Sequence, residues 1–168
     1  MPKSSTPARS HLRRRRRNCF VIGVGNPLMG DDGIGAEVAK SLRKLHLGSG
    51  VEILERQSVD LSILTYAREA RKMVIVDAIK SGGPPGSVIR FDVTRPHYPS
   101  MRLPVAHESG VSDIAVLARR SGIRLPPIIV VGVEPADCSP GAGLSKAVAG
   151  ALPLVLEEVT KEVKECAP

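Results

Sequence analysis

The stretch Cys19–Leu47, CFVIGVGNPLMGDDGIGAEVAKSLRKLHL, decides the fold. Cys19–Gly23 is a short apolar run of strand type. Gly23-Val24-Gly25 and the turn dipeptide Asn26-Pro27 end it. A helix is predicted from Gly33 to Leu47, because Ile34, Val38, Leu42 and Leu45 recur at helical spacing and make one apolar face. Gly48 and Gly50 stop that helix. A strand, a glycine-rich loop and an amphipathic helix in this order are the opening of an alternating α/β chain.

The rest of the chain repeats the alternation. Val51–Leu54 reads as a second strand. Asp60 is placed to cap the next helix, whose inner face is expected to carry Leu61, Leu64 and Ala67. Met73–Val76 is an uninterrupted apolar run, as a central strand buried on both faces requires, and Asp77 ends it. SGGPPG at 81–86 is a strong turn signal. VIRFDV at 88–93 alternates apolar and polar residues and reads as a half-buried edge strand, antiparallel to the rest. Thr94–Val105 holds three prolines and is irregular. A helix follows from Ser109 to Arg120, with Val111, Ile114, Ala115 and Ala118 on its core side. Ile128–Val131 is another apolar strand. The last helix runs from about Leu144 to Glu165, capped by Ser145, and Pro153 is expected to kink or restart it. The expected architecture is α/β: a three-layer sandwich with a mostly parallel, twisted sheet of about five strands and helices on both faces.

Three residues occupy equivalent places in this pattern. Asp32, Asp77 and His107 each stand where a predicted strand has ended and a loop or helix begins. An open parallel sheet gathers such positions on one edge. Two carboxylates and an imidazole there make a mixed site able to hold a divalent metal. The pair Asp31-Asp32 exceeds what one helix cap needs, so one acid is free to cap while the other points into the cleft. His11, His46 and His97 fall in the basic arm, on a polar helix face and in the Pro-rich stretch. His107 alone precedes a helix at the expected edge. Glu55 ends the second strand and either lines the same edge or is an ordinary solvated acid.

The glycines do not spell a nucleotide site. The dinucleotide fingerprint needs G-x-G-x-x-G, but the glycine after Gly25 is Gly30. The acids at 31 and 32 would repel a pyrophosphate at the helix entrance. No G-K-[ST] follows, which excludes a P-loop. What the glycines permit is close approach of the backbone.

Charge is distributed unevenly. The formal net charge is +7, and seven of the 24 basic residues (Lys3, Arg9 and Arg13 to Arg17) precede residue 18, leaving 17 basic against 17 acidic groups. Residues 1–17 read as a disordered basic tail, and 18–168 as a single domain with a balanced surface. Four Phe and Tyr residues in the whole chain give little for base stacking and argue against a nucleic-acid partner. No apolar run approaches the roughly 20 residues of a membrane span, and no apolar segment of signal-peptide type follows the arginines. A cytoplasmic protein is expected, with nothing demanding more than a monomer. Cys19, Cys138 and Cys166 are odd in number and widely spaced, so neither a zinc ribbon nor a disulfide framework is supported. Cys19 reads as a core residue and Cys138 as a loop residue.

The residues that carry the site also carry a resemblance. Gly23–Gly35, GVGNPLMGDDGIG, resembles the N-terminal signature of hydrogenase maturation proteases. Ile75-Val-Asp77-Ala78, His107-Glu-Ser-Gly110, Val131-Gly-Val-Glu-Pro135 and Gly143-Leu-Ser145 fit the same family in order. Together they span residues 19 to about 160 and leave the tail outside. The resemblance implies an endopeptidase that trims the C-terminal extension of a nickel–iron hydrogenase large-subunit precursor once nickel is inserted. It implies that Asp32, Asp77 and His107 bind the metal. By the same resemblance that metal is nickel, already part of the substrate, and other divalent ions can substitute in the same ligand set. These residues would then serve both catalysis and metal recognition. Two other readings compete: a non-catalytic nickel-binding docking or chaperone module, and a peptidase of related fold with another substrate.

Overall fold

The computed structural model describes residues 19–95, 110–141 and 143–166. The basic tail, most of the Pro-rich stretch and His107 lie outside them. Among the described residues five strands and four helices follow in order: β1 (Cys19–Val24), a 3-10 turn (Gly30–Gly33), α1 (Ile34–Arg43), β2 (Val51–Arg56), α2 (Ile63–Ala67), β3 (Lys72–Ala78), β4 (Val88–Asp92), α3 (Val111–Arg120), β5 (Ile128–Val133) and α4 (Lys146–Cys166). The sheet order is β2-β1-β3-β5-β4. All neighbours are parallel except β4, which runs antiparallel along the edge of β5.

Side-chain alternation divides the core into two layers. Cys19 and Val21 of β1, Val74 and Val76 of β3, and Val131 and Val133 of β5 face α1 and α4. Phe20, Ile22, Met73, Ile75 and Val130 face α2 and α3 on the other side. β1, β3 and β5 are therefore apolar on both faces, as central parallel strands require. Cys19 is a core residue, as expected. Burial, then the neighbouring Cys166 thiol, pushes its thiol up to about 12.

The first helix sits unusually close to the sheet. A Cβ on Gly23 of β1 would lie 2.0 Å from the Gly35 carbonyl oxygen, and one on Gly35 would lie 2.2 Å from the Val24 oxygen and 2.7 Å from the Val76 oxygen. Two glycines facing each other let the first turn of α1 rest directly on the ends of β1 and β3.

Several boundaries differ from the sequence reading. α1 ends at Arg43 rather than Leu47. Lys44 and Leu45 donate to Ser41 and Leu42, tightening the last turn and leaving Leu45 exposed instead of on the core face. α2 starts at Ile63, so Leu61 is exposed, while Ile63 and Ala67 carry the buried face. Asp60 shapes the turn ahead of that helix, accepting the Ser62 N–H at 2.7 Å. β3 and β5 each run two residues further than expected, so Asp77 lies within β3. α4 continues through Pro153 as one helix of 21 residues. Pro153 is exposed, so water can serve the carbonyl its missing N–H leaves unbonded. Ser145 caps α4 as expected, its Oγ accepting the Val148 N–H at 3.3 Å.

One buried ionic cluster ties α4 to the sheet. Glu162, 1 % exposed, accepts from Lys72 Nζ at 2.6 Å and from Arg90 Nε at 2.6 Å, and Lys72 also reaches Glu165 at 3.2 Å. Burial alone would raise the Glu162 carboxyl, but the two cations outweigh it and hold it below the ordinary value.

Candidate active site

The strand order reverses between β1 and β3. β1 is followed by β2 on one side, and the chain then crosses to β3 on the other. A crevice opens at such a switch point, outside the carboxyl ends of the strands. The ladder between β1 and β3 ends with Gly23 opposite Val76. Asp77, the next residue on β3, therefore stands where β1 has turned away. Asp77 is buried, pairs in register with Gly132 of β5, and by alternation faces the same side as Met73 and Ile75.

Asp32 comes to this crevice from the 3-10 turn, which packs against β3. The approach depends on Gly25, whose φ of +121° only glycine adopts readily and where a Cβ would lie 1.9 Å from the Asp32 carbonyl oxygen. The loop then fastens on itself. Asn26 N–H donates to Asp32 Oδ2 at 2.6 Å, Leu28 N–H to Asn26 Oδ1 at 3.0 Å, and Asp32 N–H to the Met29 oxygen at 3.1 Å. Asp32 is 4 % exposed.

Neither acid caps α1, contrary to one expectation; the helix has no side-chain cap. Asp31 reaches across the crevice instead. Its Oδ2 accepts the N–H groups of Ala136 and Asp137 at 2.8 and 3.0 Å, and its Oδ1 accepts the Ser145 N–H at 2.6 Å. Burial raises the Asp31 carboxyl, but these bonds reverse the shift and hold it below the ordinary value. Glu134 does the same at the end of β5. It accepts Ser81 N–H and Ser81 Oγ–H, both at 2.6 Å, and so fixes the SGGPPG turn after β3. Burial raises its carboxyl too, and these bonds again bring it below the ordinary value. Asp31 and Glu134 at this edge thus hold loops.

The doubled acid at 31–32 and the Glu-Pro at 134–135 are the sequence signals for these holding roles. The strand-end pattern by itself does not separate a holding acid from a cleft acid. Glu55 lies within β2 and pairs with Arg43 at the surface. Cys138 lies in a loop, as expected. Burial raises its thiol, and the charge of Asp32 raises it further, while Lys80 opposes both. It therefore lies within electrostatic reach of Asp32. Among the described residues no group of three His, Cys, Asp or Glu side chains is arranged to hold a metal ion. Of the expected set, Asp32 and Asp77 lie among the described residues and His107 lies outside them.

The pattern of the hydrogenase maturation protease family matches residues 36–162. The chain belongs to the hydrogenase maturation protease family. Its relatives agree. A putative hydrogenase maturation protease of Methanocaldococcus jannaschii is 27% identical over 90% of this chain and 99% of its own. The hydrogenase 2 maturation protease of Escherichia coli is 28% identical over 87% and 90%. Among solved structures, the hydrogenase maturating endopeptidase HybD from E. coli superposes with a TM-score of 0.70 at 26% identity, covering 88% of this chain and 92% of that one. The maturation protease HycI from Thermococcus kodakarensis shares the fold, with a TM-score of 0.69 at 22% identity over 88% and 93%. As a member of this family the chain is an endopeptidase, and a hydrogenase precursor is its class of partner. Membership favours the peptidase over the docking-module reading. Among the described residues no helix is long and apolar enough to cross a membrane.

Proposed function

We propose that this maturation protease removes the C-terminal extension of a nickel–iron hydrogenase large-subunit precursor, and that it recognises nickel already seated in that substrate through Asp32, Asp77 and His107. What supports the reading is the position of Asp77, one residue past the end of the β1–β3 ladder at the switch point, and of Asp32 in the 3-10 turn that packs against β3. Asp31 and Glu134 hold neighbouring loops through backbone N–H groups and are not assigned to the substrate in this reading.

Two carboxylates and an imidazole make three ligands, compatible with nickel and with positions left for water or a peptide oxygen. Such an ion polarises a scissile carbonyl and lowers the pKa of bound water. In this chain, the Asn26 N–H holds one oxygen of Asp32 in place, and the rigid strand β3 fixes Asp77. A carboxylate adjoining the attacked bond can take the proton from water as general base. Other divalent ions can occupy the same ligand set. In this reading the protease works as a cytoplasmic monomer.

The test is incubation with purified large-subunit precursor, nickel-loaded or nickel-free, followed by intact-mass measurement. Loss of a C-terminal peptide is expected only from the loaded precursor. Asp32→Ala, Asp77→Ala and His107→Ala should each abolish it while circular dichroism stays that of the wild type. Equal trimming of nickel-free precursor would refute metal recognition. Full activity in any of the three variants would remove that residue from the site.

A further inference from the structure

Leu28 is 68% exposed, more than any other large apolar side chain among the described residues. Single exposed leucines are common on soluble proteins and need no explanation by themselves. Leu28 differs in how it is held. Its N–H donates to Asn26 Oδ1 at 3.0 Å, and its carbonyl accepts the Gly141 N–H at 2.9 Å. On either side, Met29 N–H donates to the Asn26 oxygen at 3.0 Å and Gly30 N–H to the Gly141 oxygen at 2.9 Å. The backbone is fixed from both directions, yet the side chain projects into water.

The same loop is bonded to the crevice. Asn26 N–H donates to Asp32 Oδ2 at 2.6 Å. The position of Leu28 is thereby set relative to a carboxylate of the proposed site, two residues from the amide that holds it. An apolar side chain displayed from an already ordered loop loses little conformational freedom on binding, which is the property of an anchor residue at a protein interface. The other exposed leucines stand on other elements: Leu45 follows the end of α1, Leu61 precedes α2, and Leu117 and Leu154 lie on α3 and α4.

We propose that Leu28 is a specificity-determining residue: it inserts into an apolar depression on the folded protein substrate and registers the segment to be cut against Asp32. The inference rests on the proposed function, in which the substrate is a folded precursor rather than a free peptide. It assigns Leu28 to substrate affinity and leaves bond cleavage to the crevice.

The experiment compares wild type, Leu28→Asp, Leu28→Met and the control Leu154→Asp on nickel-loaded precursor. Processing rate is measured against precursor concentration, with direct binding by biolayer interferometry and thermal midpoints alongside. Leu28→Asp should raise KM and the dissociation constant roughly tenfold or more, with the midpoint unchanged. Leu28→Met and Leu154→Asp should stay within about twofold of wild type, since methionine keeps apolar volume and Leu154 lies off the crevice. A KM for Leu28→Asp equal to that of wild type overturns the inference, as does an equal loss in Leu154→Asp. Should wild type bind the precursor without cutting it, the proposed function fails, while binding lost only in Leu28→Asp still supports the anchor. Binding equal in all four proteins, or absent in wild type, overturns the anchor as well. A shorter synthetic peptide spanning the cut should show no difference between Leu28→Asp and wild type; a tenfold difference there would place Leu28 in peptide binding and refute the folded-surface contact.

Discussion

Gly23 on β1 and Gly35 in the first turn of α1 face each other with no room for a methyl group between them: a Cβ on Gly35 would lie 2.2 Å from the Val24 oxygen. The obstruction is backbone, which cannot swing aside as a side chain can. Gly35→Ala must push α1 off the sheet, at a cost of about 2–3 kcal/mol. A drop of several degrees in thermal midpoint is expected, together with weaker processing, because the 3-10 turn carrying Asp32 moves with the helix. A midpoint equal to that of wild type would contradict the close packing.

Asp31 has a different failure mode. In Asp31→Asn one acceptor oxygen becomes a donor, facing N–H groups of Ala136 and Asp137 or that of Ser145. Leaving such groups unsatisfied costs about 3 kcal/mol. Amide exchange should accelerate first at 136–137 and at the entrance to α4. Uniform acceleration across the sheet would mean that the residue supports the whole fold instead of this junction.

Glu162 governs part of the acid stability. Its carboxyl is lowered in the folded state, so its contribution is present above the ordinary value of 4.5 and is lost as the pH falls through the lower folded value. Glu162→Gln abandons Lys72 and Arg90 beside a neutral amide and should cost about 3 kcal/mol at neutral pH. Denaturation curves taken across the window below pH 4.5 should show a shallower loss of stability in this variant than in wild type. Asp31 and Glu134, shifted in the same direction, keep some acid sensitivity in both. An unchanged slope would show that the cluster does not titrate with folding.

Cys138 lies within reach of Asp32, which invites a nucleophilic role that the chemistry opposes. Burial and the neighbouring acid raise its thiol, so little thiolate forms at neutral pH. Cys138→Ser should process precursor at the wild-type rate. Loss of activity with retained metal binding would reopen the question.

The alternation of strands and helices is legible because each element carries its own period: apolar on both sides for Met73–Val76, one-sided for Ile34, Val38 and Leu42, alternating for the edge strand at 88–92. Ends are less legible. Leu45 fits the helical face of α1 by spacing, yet the last turn tightens before reaching it. Asp77 terminates an apolar run but not its strand, because the backbone ladder to β5 continues irrespective of side-chain polarity. At the site, strand-end position draws notice to Asp77 and to the 31–32 pair without separating a holding acid from a cleft acid. It cannot show that Asp31 serves a loop more than 100 residues away, since that depends on how β5 and α4 are connected in space.

That long reach bears on how the protein comes to life. Asp31 is made early, but the groups it binds, at Ala136, Asp137 and Ser145, are made more than 100 residues later. A nascent chain that already contains β1, α1 and β3 still has nothing for Asp31 to hold, and contacts of such sequence separation form late in folding. Asp31 can therefore fasten this junction only after residue 145 has been made. The junction is thus a joint property of the two ends of the domain, and neither half can build it alone.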